Sequence, residues 1–586
     1  MSGVAAALGA GLYAFSGLML CQLLFDGVAV FLFLPWLLLG YRRWQRRRSY
    51  GRFAALVIAF AVSFTAGHHM LLASVFLGVA LVAGLDFILA RRDWRSLAGL
   101  GAASVWGAFA ASFVLLPFWL HLRGAWKYKT ESALGQSYEV PALPGWIHDL
   151  SSTVLDGHPP VLDTPDFYQY LGFPAVALAL LGGFVARRQR ALRFLPPALA
   201  LSFLLCLPGP WMGFLAELPP LSFIQLIYLY VIFVAVVAAA AAAGFDWLRL
   251  RSASRVPGLV FALAALAIVG ANVLRGLYVF APVPAEPIPE SEAYRLLRAD
   301  GETFRITGLW GQNHLPNISH LSGLEDLRVI SVAMNPRYHA WFELVDPEVM
   351  AKTYPTSRVT NELSSPLVGA FNVKYVVAGK VPHHVYLTQI RPGDIFSKFA
   401  PQAFPVSKAN LEAVYEDRVI RLLRVVNSYR PRAFLAERVH AVPPGVEHSA
   451  AWIRAHPGAL IDTVVAEAAS ETLREALETH TGRAGSVEFE YPSQRSVRLR
   501  TRSERPALLV LNDIFETGWE AHVDGAPAEI LPVNLIARGV WVPEGQHEVR
   551  MHYRPPGFAA GVALSGASLA ALGLGGLAAR HRRKNA

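Results

Sequence analysis

Along its first 280 positions the chain alternates apolar blocks with short arginine-rich breaks, and one more apolar block precedes the basic tail "RHRRKNA". Each block is about 15 to 25 residues long, enough for a helix rising about 1.5 Å per residue to cross a hydrocarbon core. Such a helix satisfies its own backbone polar groups, which lipid cannot do. The pattern predicts crossings near 3–20, 24–40, 52–67, 71–90, 97–119, 168–186, 194–208, 223–247, 256–280 and 557–579. That is about ten spans.

Between residues 282 and 556 the apolar blocks vanish, and the Pro-rich "APVPAEPIPE" reads as a linker into a globular domain. A first lobe over 282–435 mixes a helical stretch, "SEAYRLLRAD", with strand-like runs, "VKYVVAG" and "RVIRLLRVV". A second lobe over 436–556 opens with a helical segment near 449–480, which Pro457 should end or kink. It continues as "GSVEFEY", "SVRLRTR", "ALLVLND", "WEAHVDG", "AEILPV", "GVWVP" and "HEVRMHY". Short, largely alternating runs with turn signals between them predict an antiparallel β-sandwich, with a hairpin at Asp524-Gly525. The expected fold class is a polytopic α-helical membrane protein with a large extracytoplasmic α+β domain ending in a β-sandwich. Its parts are a helical domain over 1–281 with an outer loop at 120–167, the two lobes, and a last span with a basic tail over 557–586.

Composition agrees with a bilayer. The 586 residues are 54% hydrophobic and only 16% charged, with mean hydropathy +0.36, too apolar for an ordinary soluble surface. The formal charge of +10 raises the question of nucleic acid, and the position of the basic residues answers it. "YRRWQRRRSYGR", "RRDWR", "RRQRALR", "RLRSASR" and the tail each follow an apolar block, as cytoplasmic loops do. They are separated and lack a nucleic-acid-binding motif, so no nucleic-acid partner is expected. With every basic break in the cytoplasm, both termini are expected to be cytoplasmic and the polar domain to face outward. Cys21 and Cys206 lie in apolar blocks, so the polar domain has no disulfide framework. "MSGVAAALGAGLYAFSG" lacks a charged leader region and reads as a retained first span.

Candidate chemistry lies at the outer ends of the spans. "GHH" at 67–69 reads as the tip of a helical hairpin, with Gly67 in the turn and His68 and His69 at the water boundary. These rings either mark the wet end of two helices or contact a phosphate or sugar. The loop beginning "HLRGAWKYKT" places Arg123, Lys127 and Lys129 beside Trp126 and Tyr128, against the prevailing charge bias. It is either a snorkelling anchor or a clamp for an anionic lipid head. Asp26 borders the second span, where a carboxylate is costly unless it faces a wet cavity; it either ends the span or serves chemistry. Asp163 and Asp166 more simply shape the loop and start the sixth helix. Trp519 and Tyr553 are suited to stacking on a sugar but, at strand positions, read first as core. No metal-ligand spacing is evident and no cofactor is expected.

At "DIFETGWEAHVDGAPAEILPVNLIARGVWVPEGQHEVRMHYRP" the chain resembles the C-terminal signature of YfhO-like bacterial membrane proteins, of the GT-C superfamily of polytopic glycosyltransferases. "YAFSGLML", "LPWLLLGYRRW", "TAGHHMLL", "DFYQYLGFPAVALALL", "PNISHLSGLEDLRVISVAMNPRYHAWFEL" and "GAFNVKYVVAG" match in the same order. The resemblance implies a sugar donor carried on a polyprenyl phosphate and transferred at the outer face to a cell-envelope glycan acceptor. It implies an acidic general base in a first outer loop and cationic groups that stabilise the leaving phosphate. Family members carry further spans and that acid before "YAFSG", which leaves Asp26 as the substitute base and an upstream-encoded membrane subunit as a partner that would restore them. In "LSFIQLIYLY", Gln225 stands where relatives commonly carry arginine, so its substrate-binding role is the weaker for it. Two readings follow: a membrane hexosyltransferase, or a shortened non-catalytic relative that binds or positions envelope glycans, equally the C-terminal part of a split enzyme. A lipid-linked sugar carrier ranks below both, because spans three to nine show few ionisable residues at mid-membrane depth.

Overall fold

The computed structural model describes residues 1–16, 19, 27–67, 69–91, 93–124, 126–127, 173–189, 192–206, 229–279, 292–308, 323–330, 333–345, 357–358, 365–379, 410–417, 420–479 and 485–585. The chain divides into a helical unit (1–117, 129–285 and 557–586) and a polar unit (118–128 and 286–556).

Among the described residues, three helices of the helical unit are long and apolar enough to cross a membrane: Leu71–Leu89, Tyr230–Ser252 and Phe558–Arg582. Shorter apolar helices include Gly3–Ala14, Tyr50–Phe64, Phe173–Ala186, Leu195–Leu205 and Gly258–Leu274. Tyr230–Ser252 is buried along most of its length because its "AVVAAAAAAG" run lets neighbours approach closely. Gly244 on this helix and Gly182 on Phe173–Ala186 face each other, and a Cβ on either would run into Leu178 O or Ala240 O. On the other side Gly9 of Gly3–Ala14 sits where a Cβ would lie 3.1 Å from Ala238 O. Without a hydrophobic force between helices in lipid, such close backbone approach is what associates them.

The fifth expected span, 97–119, is instead two helices. Trp94–Ala110 and Ser112–Gly124 meet at Ala111 with a bend of 81°. Pro117 lies beyond the break and does not cause it. Backbone groups freed there are taken up by two hydroxyls: Ser112 Oγ donates to Ala108 O at 3.3 Å, Phe113 N–H donates to Ser565 Oγ of the last helix at 3.0 Å, and Ser565 Oγ donates to Phe109 O at 3.5 Å. A broken helix in an apolar setting requires such replacement partners. The last helix reaches the break through a stripe of small residues, since a Cβ at Gly561 would lie 2.5 Å from Ser112 O. Further along the same stripe, Trp106 Nε1 donates to Ser568 O at 3.2 Å and Tyr50 Oη donates to Leu572 O.

The basic segment 41–52, expected as a loop, is helical to Arg46, and the next helix starts at Tyr50. Fully buried Asp86 fixes this end, accepting from Gln45 Nε2 at 2.7 Å and pairing with Arg42 at 2.9 Å. Asp93 caps Trp94–Ala110 through Ser96 and binds Arg48.

The polar unit opens with the helix Glu292–Ala299 and a five-stranded sheet. Its strands are β1 Arg305–Gly308, β2 Glu325–Asp326, β3 Val373–Gly379, β4 Leu411–Glu416 and β5 Ile420–Val425, in the order β2-β1-β3-β5-β4. The pairs of β1 with β2 and β3 are parallel, and the other two pairs are antiparallel. Next come β6 Ala433–Leu435, β7 Arg438–Val442, β8 Thr463–Glu467, β9 Gly485–Ser493, β10 Ser496–Ser503, β11 Ala507–Leu511, β12 Trp519–Val523, β13 Ala526–Ala528, β14 Leu531–Val533, β15 Ala537–Val542 and β16 Gly545–Tyr553. They form a six-stranded sheet, β6-β11-β15-β14-β8-β7, and a five-stranded sheet, β9-β10-β16-β12-β13.

The six-stranded sheet is a middle layer. Leu508 and Val510 of β11 enter one core with Trp341, Phe342, Ile453 and Val465, on the side of the helices Pro336–Val345 and Val446–Ala455. Ala507, Leu509 and Leu511 enter another core with Val497, Leu499, Val549 and Met551 of the facing sheet. Both faces of β11 are covered, which explains why "ALLVL" is continuously apolar. The five-stranded sheet is antiparallel throughout, as expected of a sandwich half. The other sheet departs from that expectation, because β7 and β8 are parallel and joined across Val446–Ala455. The helical segment expected over 449–480 is thus a helix that ends at Ala455, before Pro457, then strand β8, then the helix Glu471–Thr479. "TVVAE" becomes a strand because its β-branched residues pack in a fully covered sheet. Asp524 (φ 50°) and Gly525 (φ 86°) close the β12–β13 hairpin, the left-handed geometry of a tight turn.

Candidate functional site

Gly67 has φ +93° and ends the turn after Tyr50–Phe64, and the next helix begins at His69. The hairpin tip is therefore where the sequence puts it. Of the candidate residues, Asp26, His68, Gln225, Asp163 and Asp166 lie outside the described residues, and only the backbone of His69 is described. Arg123 is exposed in the last turn of Ser112–Gly124, with its guanidinium 4.1 Å from the centre of the Trp119 ring, a cation–π distance. Trp126–Lys127 forms a two-residue antiparallel ribbon with Ala333–Met334, Lys127 opposite Ala333. The two cations thus occupy a short stretch that leaves a helix and is tied to the polar unit. The next residue, Asn335, donates from its amide to Phe515 O at 2.7 Å and to Glu516 at 2.8 Å, which anchors the ribbon.

Among the described residues of the polar unit, the densest charge is a cluster that no local sequence pattern marks as a whole. Asp513, just past β11, binds three guanidinium groups: Arg305 at 3.1 Å, Arg432 at 2.9 Å and Arg538 at 2.8 Å. Tyr491 donates to the same carboxylate at 2.9 Å. Arg305 also donates to Asn512 O at 2.6 Å and lies 4.4 Å over the Phe371 ring, while Arg538 lies 3.8 Å over Trp519. A second carboxylate, Glu325 of β2, takes Arg432 Nη2 and lies 3.7 Å from Arg305 Nε. Strands from all three sheets supply these groups. Burial alone would raise the Asp513 carboxyl, but the positive charges of Arg538, Arg305 and Arg432 outweigh it and hold it below the usual carboxylate range. Burial lowers Arg305 and Arg538. Burial also pushes up the Tyr491 phenol, reinforced by the charge of Asp513. A sequence signal existed: Arg538 interrupts the apolar run "VNLIARGVWV" at an inward strand position, where an unpaired charge is untenable.

Two further clusters have structural roles. Glu467 accepts both terminal nitrogens of Arg337, at 2.6 and 2.9 Å, with Ser449 Oγ at 2.8 Å and Gly445 N at 3.0 Å. Lys374 pairs with Asp300 at 2.6 Å and sits among the Phe304, Tyr375 and Tyr429 rings at 5.7 to 5.8 Å. Trp519 and Tyr553 pair across β12 and β16 with their rings 5.5 Å apart; both are half-buried, and Trp519 packs against the core between the sheets.

No protein-family model matches the chain, and a search of curated proteins gives no match. Among solved structures it is similar to the arabinofuranosyltransferase AftD from Mycobacteria, at 11% identity and a TM-score of 0.39, over 93% of this chain and 48% of that one. A mutant form of AftD is similar at 13% identity and a TM-score of 0.39, over 94% of this chain and 51% of that one. The chain spans about half the length of the structures it matches.

Proposed function

We propose that this chain is a membrane glycosyltransferase of the GT-C type, moving a sugar from a polyprenyl-phosphate donor to a cell-envelope glycopolymer at the outer face. The observation that carries the reading is the cationic segment at the end of the broken helix, Arg123 braced on Trp119 and Lys127 fixed in a ribbon with Ala333–Met334. An arginine braced on an aromatic ring, beside a lysine whose backbone is fixed in a ribbon, suits a lipid-linked phosphate, whose negative charge grows as the sugar departs. In this reading Asp26 takes the proton of the acceptor hydroxyl as that oxygen attacks the anomeric carbon. His68, His69 and Gln225 line the substrate, and the lipid bilayer delivers the donor. The family resemblance supports the same reaction class.

The test is transfer by purified full-length protein in proteoliposomes, with labelled polyprenyl-phosphate sugars and envelope acceptor. Expected is transfer that falls at least tenfold in Asp26→Ala and in Lys127→Ala. Transfer untouched by both substitutions overturns the assigned roles. Binding of envelope glycan without any transfer makes the chain a non-catalytic relative that positions glycans.

A further inference from the structure

We propose that the paired guanidiniums of Arg305 and Arg432 form a seat for an external oxoanion, a carboxylate or a phosphate, which enters by displacing the side chain of Glu325. The inference stands independently of sugar transfer. Its basis is an asymmetry in exposure: the Arg432 and Arg305 side chains are 1% and 11% exposed, whereas the Glu325 carboxylate that meets them is 53% exposed. A solvent-facing carboxylate thus covers two buried cations, and its withdrawal uncovers them.

Charge and local structure both favour such an exchange. Among the described residues, three guanidiniums (Arg305, Arg432, Arg538) face two carboxylates (Asp513, Glu325), a surplus of one positive charge. Asp513 is committed from several sides, to all three arginines and Tyr491, and cannot leave. Glu325 holds through one carboxylate oxygen, Oε2, which accepts from Arg432 Nη2 and lies 3.7 Å from Arg305 Nε, longer than a hydrogen bond. Arg432 Nε is buried and has no hydrogen-bond acceptor among the described residues, a donor that a larger anion can use. The backbone beneath Glu325 is fixed separately. Its neighbour Asp326 accepts from Arg328 N at 2.8 Å and grips the Arg328 guanidinium at 2.6 and 3.1 Å. The Glu325 side chain can therefore swing out while β2 keeps its pairing with β1. Guanidinium pairs recognise carboxylate and phosphate by the same charge-assisted hydrogen bonds, so both belong to the class.

The test is calorimetric titration of full-length protein in detergent with D-glucuronate in one arm and inorganic phosphate in the other. Glu325→Gln removes the competing charge and keeps the shape, and should tighten binding in at least one arm by tenfold or more. The responding arm identifies the anion. Glu412→Gln, which makes the same change of net charge at the exposed Arg424 pair, should leave binding within twofold. Glu325→Asp, shorter by one methylene, should fall between wild type and Glu325→Gln. The proposal is overturned if neither anion binds Glu325→Gln at millimolar concentration, or if Glu412→Gln tightens binding as much.

Discussion

Replacing Asp513 by asparagine removes the charge on which three buried arginines converge and changes almost nothing in shape. Each guanidinium lies 2.8 to 3.1 Å from the carboxylate, nitrogen to oxygen. At charge separations near 4 Å and an effective dielectric of about 20, each attraction amounts to about 4 kcal/mol. Mutual repulsion of the guanidiniums and the penalty for burying them offset much of that sum, so the gross attraction is not the loss to expect. Removing one partner of a buried ion pair typically destabilises by about 3–5 kcal/mol, and the asparagine oxygen retains part of the hydrogen bonding. The expected loss for Asp513→Asn is therefore about 3–5 kcal/mol, a large share of a domain stability of about 5–15 kcal/mol. Pulse proteolysis of the full-length protein in a urea series reads this directly, with cleavage mapped to 286–556. Adding Arg538→Met to the variant should recover part of the loss, because it removes one uncompensated charge. A loss below about 1 kcal/mol would refute the reasoning, since a buried carboxylate holding three guanidiniums cannot be that dispensable.

Other outcomes follow from the same physics. The Asp513 and Glu467 carboxyls are both held low in the folded state, so their stabilisation is complete above the ordinary carboxylate range and lost as pH falls through their folded values. Thermal unfolding of the polar unit should drop to lower temperature as pH falls below about 4; a rise on acidification through that range would contradict this. Ser565→Ala strips the hydroxyl that serves Phe113 N–H and Phe109 O, and should cost about 1–3 kcal/mol in detergent unfolding, whereas Ser565→Thr, which keeps it, should cost less. Gly182→Leu drives a side chain into the Ala240 carbonyl, and should separate the Phe173–Ala186 and Tyr230–Ser252 helices, read as loss of a disulfide crosslink engineered between them.

Much of this architecture is legible because it rests on period and composition. The strands of the sandwich declare themselves by short apolar runs, the β12–β13 turn by Asp524-Gly525, and the hairpin tip by Gly67. What is not legible depends on long-range partners. The break at Ala111 has no proline or glycine at its point of failure, and one of its partners is Ser565, more than 450 residues away, which accepts and donates there. Strand β8 reads as helix until its parallel neighbour β7 and its two-sided burial are known. The arginine centre is dispersed over residues 305 to 538, and only the position of Arg538 inside an apolar strand hints at it. Arg123 and Lys127 were legible as a cluster, but the Trp119 ring beneath one and the Ala333–Met334 ribbon beside the other were not.

Sidedness is the claim on which donor, acceptor and site all depend, and a single label tests it. With Cys21 and Cys206 replaced by serine, Glu488→Cys puts one thiol on an exposed position of β9. A membrane-impermeant maleimide should label it in intact spheroplasts, as an outward-facing polar unit requires. Labelling that appears only after lysis would place the domain in the cytoplasm and contradict the account.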